Sequence, residues 1–246
     1  MMQNILVSYG SVARVEFVVT VESQWGSYVI SPSKISGYLP GATTATFVVT
    51  GDIGSPSAGS AAVVIDSSWH PNDSVALIIN NGTTVLGKGG DGNSGSGGPA
   101  IIAYRAVTIT NNGIVGGGGG GGAAGQQYET KDKNGNTTLT GASGGGGGAG
   151  NWFGWGGGGS AAAPGKKTYN TLQNGASGAS GTMFTGGAGG DGYAGAGGGL
   201  GQFGASGGAD SWGYVAMGGI PGAALVGLSF VNSGNGILGT VYGAQT

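Results

Sequence analysis

Residues 111–125 read NNGIVGGGGGGGAAG, and residues 141–150 read GASGGGGGAG. Glycine loses more conformational entropy on folding than any other residue, so runs of this kind disfavour both helix and ordinary strand. A flexible linker is the simplest interpretation, but linkers are usually Gly/Ser repeats without large side chains. Here Phe184, Phe203 and other aromatic residues stand between the glycine tracts, and a flexible chain would leave them exposed.

Two ordered forms of glycine-rich chain remain to be weighed. Collagen needs glycine at every third position and much proline, and the glycine runs break that period. The polyproline-II conformation has three residues per turn and no internal hydrogen bonds, so its N–H and C=O groups point outward. Without Cβ atoms, neighbouring helices of this kind can approach and bond laterally. The aromatic placement and the recurring apolar steps favour such a bundle over disorder.

A bundle of this kind predicts where glycine is required. A helix inside it must be glycine on every face, whereas an outer helix needs glycine only on its inward edges. Residues 116–122 and 144–148 are therefore expected inside, and the mixed tract at 186–201 outside. The inserts between tracts become turns at the two ends. If each tract is one antiparallel rod, residues 126–140 and 166–174 share one end, while residues 151–155 and 182–185 share the other.

Glycine content divides the chain near Leu86. Residues 1–86 hold 8 of the 63 glycines, and residues 87–246 hold the other 55. In the first part, residues 12–19 alternate in the period of two that is typical of a half-buried strand. Further strands are expected at 44–50, 61–66 and 75–80, bounded by turn residues. The sequence thus predicts a small β domain at 1–86, such as a sandwich, and a glycine-rich domain at 87–246.

A short phrase recurs across this boundary. It pairs an Asn/Gly turn with an apolar step and a following glycine, at residues 79–87, 110–116 and 231–239. This is a weak internal repeat. Asn80-Asn81-Gly82 within the first copy also predicts a β-hairpin turn.

Composition excludes several classes of function. The chain has no cysteine, one histidine (His70), a net charge of −2 and 8 basic residues, so it offers neither a Cys-based zinc site nor a basic footprint for nucleic acid. The apolar runs are too short to span a bilayer, and the N-terminus does not read as a signal peptide. Asp91-Gly92-Asn93 lacks the downstream glutamate of a calcium loop. We expect no metal, no cofactor and no enzymatic activity.

The stretches NNGIVGGGGGGG at 111–122 and IINNGTTVLGKGGDGNSGSGG at 78–98 resemble the receptor-recognising adhesins at the tip of T-even-type bacteriophage long tail fibres. The resemblance covers roughly residues 60–246. It implies a mainly β and irregular fold, in which a fibre-attachment domain (1–86) precedes a receptor-binding three-layer sandwich of polyglycine-II helices (87–246). It also implies a trimeric tail-fibre tip protein as partner, a bacterial outer-membrane protein or surface glycan as receptor, and a place in the virion after assembly in the host cytoplasm.

Adhesins of this kind bind through the inserts between glycine tracts, and inserts that mix aromatic and adaptable polar residues suit such a surface. The polar insert 126–140 is also open to interpretation as a solvated hairpin, and residues 151–155 as an apolar plug at one end of the bundle. We expect the end with residues 126–140 to be distal. The candidate receptor-binding residues are Tyr128, Lys131, Asp132, Lys133, Trp152, Phe153, Trp155, Lys166, Lys167, Tyr169, Asp210, Trp212 and Tyr214.

A glycine-rich structural or ice-binding protein without a receptor is the alternative. An ice binder should present a flat Thr/Ala face without long loops. The polar insert 126–140 and a separate β domain argue against it.

Overall fold

The computed structural model describes residues 5–7, 13–151, 156–161, 171–173, 175–191, 193–208, 215–232 and 237–246, with backbone alone at 5–7 and 171–173. Regular structure in these residues consists of short strands and two 3₁₀ helices, Pro32–Lys34 and Leu228–Phe230. No helix among them is long and apolar enough to cross a bilayer. The mainly β and irregular fold class predicted from the sequence is therefore confirmed.

The strands are short and lie mostly before residue 117. They are β1 (Ile5–Val7), β2 (Arg14–Val21), β3 (Gln24–Trp25), β4 (Tyr28–Ile30), β5 (Thr43–Val49), β6 (Ile53–Gly54), β7 (Val63–Ile65), β8 (Ser74–Ile79), β9 (Thr84–Leu86), β10 (Ile101–Ala103), β11 (Thr108–Asn111), β12 (Ile114–Gly116), β13 (Tyr128–Lys131), β14 (Thr137–Thr140), β15 (Thr171–Gln173), β16 (Leu225–Val226) and β17 (Thr240–Tyr242).

Three of the sheets form a three-sided solenoid. Their strand orders in the described residues are β1-β2-β5-β8-β11, β3-β6-β9-β12-β17 and β4-β7-β10-β16. Strands β2, β3 and β4 make the first turn of the chain. The next three turns each give one strand to each sheet, and β17 adds a fifth strand to the second sheet. Neighbouring strands are parallel, except that β1 is antiparallel to β2. We call β1–β12 together with β16 and β17 the solenoid.

Alternation along the strands fills the solenoid interior. In β5, Ala45, Phe47 and Val49 are buried, while the residues between them are partly exposed. The same pattern runs along β8. Phe47 lies edge-to-face with the rings of Tyr28 and Trp69. The inward residues of all three sheets thus join in one apolar core, as the period of two predicts.

One corner of the solenoid carries the two longest insertions. The chain passes from the second sheet to the third through residues 26–27 in the first turn, 55–62 in the second and 87–100 in the third. In the fourth turn the same corner is crossed by residues 117–224, which run from β12 to β16. Most of the glycine-rich sequence is therefore an insertion at one corner of a continuing solenoid.

The structure corrects two expectations for the first part of the chain. The strands form a parallel solenoid and not a sandwich, and Asn80–Gly82 turns a corner between two sheets and not a hairpin, since β8 and β9 pair with different strands. Period-two alternation marks a half-buried strand but does not specify its partner. The composition change near Leu86 also does not bound the sheets, because strands from both sides of it pair with one another.

Residues 87–98, 116–125, 141–151, 156–160, 175–190, 194–208 and 215–222 pack side by side as what we call the glycine block. Backbone hydrogen bonds join its segments laterally. From residues 116–125, the N–H groups donate in rotation to segments 95–98, 143–149 and 202–205, and the C=O groups accept from segments 87–94, 195–201 and 219–222. Successive residues thus bond to different neighbours, and every third residue returns to the same one. Residues 143–151 are surrounded in the same way.

Burial follows the predicted division between inner and outer tracts. Residues 116–123 and 143–150 are buried throughout. At the edge of the block, the sequence GASGASG of residues 175–181 turns a glycine inward at every third position, and its Ala and Ser residues are exposed. A Cβ on Gly178 would stand 2.1 Å from the carbonyl oxygen of Gly145. Glycine is needed where two backbones meet, and other residues are tolerated where they do not.

Candidate functional site

The glycine block has two ends. One end adjoins the solenoid, where Gly117 donates to the carbonyl of Tyr242 and Asn151 donates to that of Gly87. We call the opposite end the hairpin end, because β13 and β14 lie there with the turn at 191–194. The chain reaches it ten residues after β12, at Gln126.

A three-stranded sheet covers part of the hairpin end. Strands β13 and β14 pair antiparallel, and β15 adds to β14 in parallel. The sheet therefore brings together residues from the inserts 126–140 and 166–174, which the parity of the glycine tracts had predicted to share one end. Within it Leu139 is buried, whereas Glu129 and Lys131 are exposed.

Asp132 organises the tight turn between β13 and β14. Its carboxylate accepts hydrogen bonds from the N–H groups of Asn134 and Asn136, both at 2.8 Å, and from the Asn136 side-chain amide at 2.9 Å. Gly135 adopts a positive φ of 84°, which favours glycine in such a turn. The hydrogen bonds from the Asn136 side chain and backbone lower the pKa of Asp132. Asp132 therefore shapes the hairpin, and the exposed Lys131 and Lys133 flank it.

An aromatic stack joins the hairpin to the neighbouring turn. The rings of Tyr128 and Tyr193 are stacked, with centroids 4.5 Å apart and an angle of 27° between their planes. Asp191 holds the backbone at Tyr193, because its carboxylate accepts from the N–H of Tyr193 and from the Ser143 hydroxyl. The hairpin end thus carries a partly exposed tyrosine pair on a turn that is anchored to an inner glycine segment.

Tyr193 was missed by sequence reasoning. It lies inside the mixed glycine tract 186–201, which was treated as an outer rod without a turn. The signal available was Asp191, since Asp side chains commonly cap their own backbone two residues on. Gly125 and Gly207 lie close to the backbone of Tyr193. A Cβ atom added at either glycine would contact the carbonyl group of Tyr193.

The other predicted residues lie outside the described parts of the chain. These are Trp152, Phe153, Trp155, Lys166, Lys167, Tyr169, Asp210, Trp212 and Tyr214. The described residues Asn151 and Gly208 lie at opposite ends of the block. Gly208 donates to the carbonyl of Tyr193 at the hairpin end, whereas Asn151 bonds to Gly87 and Ser55 beside the solenoid. Gly150 donates to Thr182, so Asn151 and Thr182 lie at the same end.

The described residues hold no group of three or more His, Asp and Glu side chains that could bind a metal ion. His70 lies in the turn before β8, where its Nδ1 accepts from the N–H of Asn72 and its own N–H donates to Asp73. Asp73 is buried and also accepts from Tyr38 and from two backbone N–H groups. This cluster holds a corner of the solenoid together.

A solved structure described as the gp37-gp38 adhesin tip complex of the bacteriophage S16 long tail fiber is similar in fold, with a TM-score of 0.53 and 20% identity over 95% of this chain and 84% of that chain. Curated protein sequences give no match. A family model described as phage tail fibre adhesin Gp38 matches residues 16–246, so the chain belongs to the phage tail fibre adhesin Gp38 family.

Proposed function

We propose that the protein is a receptor-binding adhesin at the tip of a phage long tail fibre, and that the hairpin end of the glycine block contacts the host. The observation that carries this proposal is the arrangement of that end. Polar and aromatic turns stand together there on a block whose backbone is hydrogen-bonded on all sides. A rigid scaffold that presents variable loops is a common architecture for recognition.

We further propose that the glycine segments are polyglycine-II helices in a three-layer sandwich. The period of three in their lateral hydrogen bonds supports this, because a polyproline-II helix has three residues per turn. At a rise of about 3.1 Å per residue, a ten-residue segment makes a rod of roughly 30 Å. The block would then act as a stiff spacer that holds the hairpin end away from the fibre.

The first turn of the solenoid is proposed as the fibre-attachment surface, within the attachment domain expected at residues 1–86. Strand β4 is the last member of its sheet in the described residues, and a terminal strand can pair with a further strand along its outer edge. At the opposite end of the solenoid, single parallel β-bridges add Val231 beside Val107 and Gln245 beside Leu225 of β16. A three-sided end suits a trimeric fibre protein, since each chain of the trimer can meet one side.

The receptor is proposed to be an outer-membrane protein or a surface glycan of a host bacterium. The described residues proposed to contact it are Tyr128, Lys131 and Lys133, together with Tyr193. Asp132 contributes by fixing the turn, and residues 166–169 and 210–214 are proposed to complete the surface. Trp152, Phe153 and Trp155 keep both interpretations, receptor contact and apolar plug. We propose a non-enzymatic protein of the virion that needs no cofactor and is assembled in the host cytoplasm.

Cell binding tests the proposal directly. A fluorescent fusion of the full chain should stain a susceptible bacterial strain. The combined variant Tyr128→Ser, Lys131→Ser, Lys133→Ser should reduce staining at least about tenfold, because exposed contact residues at the centre of an interface dominate affinity. Thermal unfolding should stay nearly unchanged, since Lys131 and Lys133 are exposed and Tyr128 is partly exposed.

The matched control is Lys34→Ser, which removes an exposed charge from the first solenoid turn. It should leave staining unchanged. Full staining by the combined variant, and by a second variant lacking residues 166–174, would show that the hairpin end is not the receptor-binding surface.

A further inference from the structure

A small pocket lies at the other end of the glycine block, beside the solenoid. Its volume is about 190 Å³, and it is lined by Phe184, Gly199, Leu200, Gln202 and Tyr242. Gly117, at the start of an inner glycine segment, donates to the carbonyl of Tyr242 and accepts from the N–H of Gly201. The pocket is therefore separated from the hairpin end by the length of the block.

Three fixed elements make the walls of this pocket. Phe184 sits in a turn closed by the hydrogen bond from the N–H of Thr182 to the carbonyl of Thr185 at 2.7 Å. Gln202 follows a second turn, in which its N–H donates to Gly199 at 3.0 Å. Tyr242 is on β17, which pairs with β12. A ligand would thus meet a pre-formed surface and would lose little affinity to ordering the protein.

The chemistry of the lining is aromatic, amphipathic and uncharged. Phe184 and Tyr242 remain 47% and 43% exposed, so parts of both rings are accessible from solvent. Leu200 is buried and belongs to a small apolar cluster with Leu86 and Ala149. Gln202 is exposed, and its amide offers both a hydrogen-bond donor and an acceptor.

We propose that this pocket binds one neutral pyranose ring of a surface glycan. The faces of aromatic rings carry partial negative charge, which complements the weakly positive C–H groups on the face of a pyranose. An amide can bond to two adjacent hydroxyls of the same sugar through its donor and its acceptor. Drug-sized ligands occupy pockets of about 300–1,000 Å³, so this smaller volume suits a single ring.

The lack of charge in the pocket lining favours a neutral ligand over an anionic one. None of the lining residues is charged, and residues 175–246 contain neither Lys nor Arg. A phosphate, a carboxylate sugar or an acidic peptide would find no cation among these lining residues to replace its hydration. A neutral sugar needs only the ring faces and the amide.

Saturation-transfer NMR on the full chain tests this site, with methyl β-D-glucopyranoside and methyl β-D-galactopyranoside as probes. At least one should receive saturation at its ring protons, with a Kd in the millimolar range typical of a single small contact surface. Phe184→Ala and Tyr242→Ala should each weaken binding about tenfold, whereas Tyr242→Phe should keep it because the ring remains.

Phe203→Ala is the matched control, since Phe203 is an aromatic residue 68% exposed next to Gln202 but does not line the pocket. Phe203→Ala should not change the saturation transfer to the sugars. The combined Tyr128, Lys131 and Lys133 variant should not change it either, so this test is independent of cell staining. The proposal is overturned if neither sugar receives saturation, if indole binds the pocket and the sugars do not, or if Phe184→Ala and Tyr242→Ala leave sugar binding unchanged.

Discussion

The solenoid and the glycine block solve the same packing problem in opposite ways. In the solenoid, strands pair with neighbours on two sides, which leaves an inner face for side chains such as Phe47 and Ile65. In the block, lateral hydrogen bonds leave the chain in all directions, so the space between segments is filled by backbone. The comparison teaches that a solid interior can be built either from bulky side chains or from their complete absence.

Removing bulk should break the solenoid. Phe47 is fully buried and lies edge-to-face with Tyr28 and Trp69, so Phe47→Ala leaves a cavity that the paired strands cannot close. We expect a loss of about 3–5 kcal/mol in the free energy of unfolding, measured by denaturant titration. Phe47→Leu should cost less, because more of the volume is kept. Equal losses for the two variants would contradict a cavity effect.

Adding bulk should break the block, and a single methyl group is enough. A Cβ on Gly120 would stand 1.9 Å from the carbonyl oxygen of Gly219, and backbone hydrogen bonds hold both residues in place. Gly120→Ala should therefore destabilise the protein by about 1–3 kcal/mol or more, since overpacking forces backbone to shift.

The matched control for Gly120→Ala is Gly157→Ala in an outer segment. There the nearest atom to an added Cβ is the Asp91 carboxylate oxygen at 3.7 Å, an ordinary contact. Its unfolding free energy should stay within about 1 kcal/mol of the parent, because a tolerated Gly→Ala change acts mainly on the unfolded chain. Calorimetry of both variants measures the difference, and similar melting temperatures would show that the inner segments are not closely packed.

The sequence was informative where one local rule decides the structure. Alternation predicted the strand that contains Phe17, and β-branched residues between turn residues predicted the strand that contains Phe47. The length of pure glycine predicted which segments are buried. The resemblance to long tail fibre adhesins, carried by residues 78–98 and 111–122, was confirmed by the family match. Each of these signals lies within a few consecutive residues.

Strand partners could not be predicted, because they depend on residues far apart in the chain. The weak repeat at 79–87 and 110–116 does mark equivalent places in the solenoid, since β9 and β12 follow these turns and pair in parallel. Unequal insertions at one corner obscure the period of the solenoid turns in the sequence. The composition change near Leu86 suggests a domain boundary within the solenoid instead. Tyr193 was missed for a related reason, since its stack with Tyr128 joins two separate inserts.

The turn at the hairpin end should respond to pH through Asp132. The pKa of Asp132 lies below its ordinary value of 3.8, chiefly because the Asn136 side chain and backbone donate to its carboxylate. A carboxyl group whose folded pKa is lowered stabilises the fold above its unfolded pKa and loses that contribution as pH falls through the folded one. The turn at 132–136 should therefore loosen below about pH 4.

Amide NMR shifts of Asn134 and Asn136 measure this loosening, because both N–H groups donate to the carboxylate that becomes protonated. Asp132→Asn should remove the transition, since asparagine does not titrate in this range, whereas Asp66→Asn on the solenoid should leave it in place. A transition that persists in Asp132→Asn would assign the pH response to another group. Because the turn is exposed and local, its loss should leave the melting temperature of the protein almost unchanged. The stability of the turn can therefore be measured independently of the packing of the glycine block.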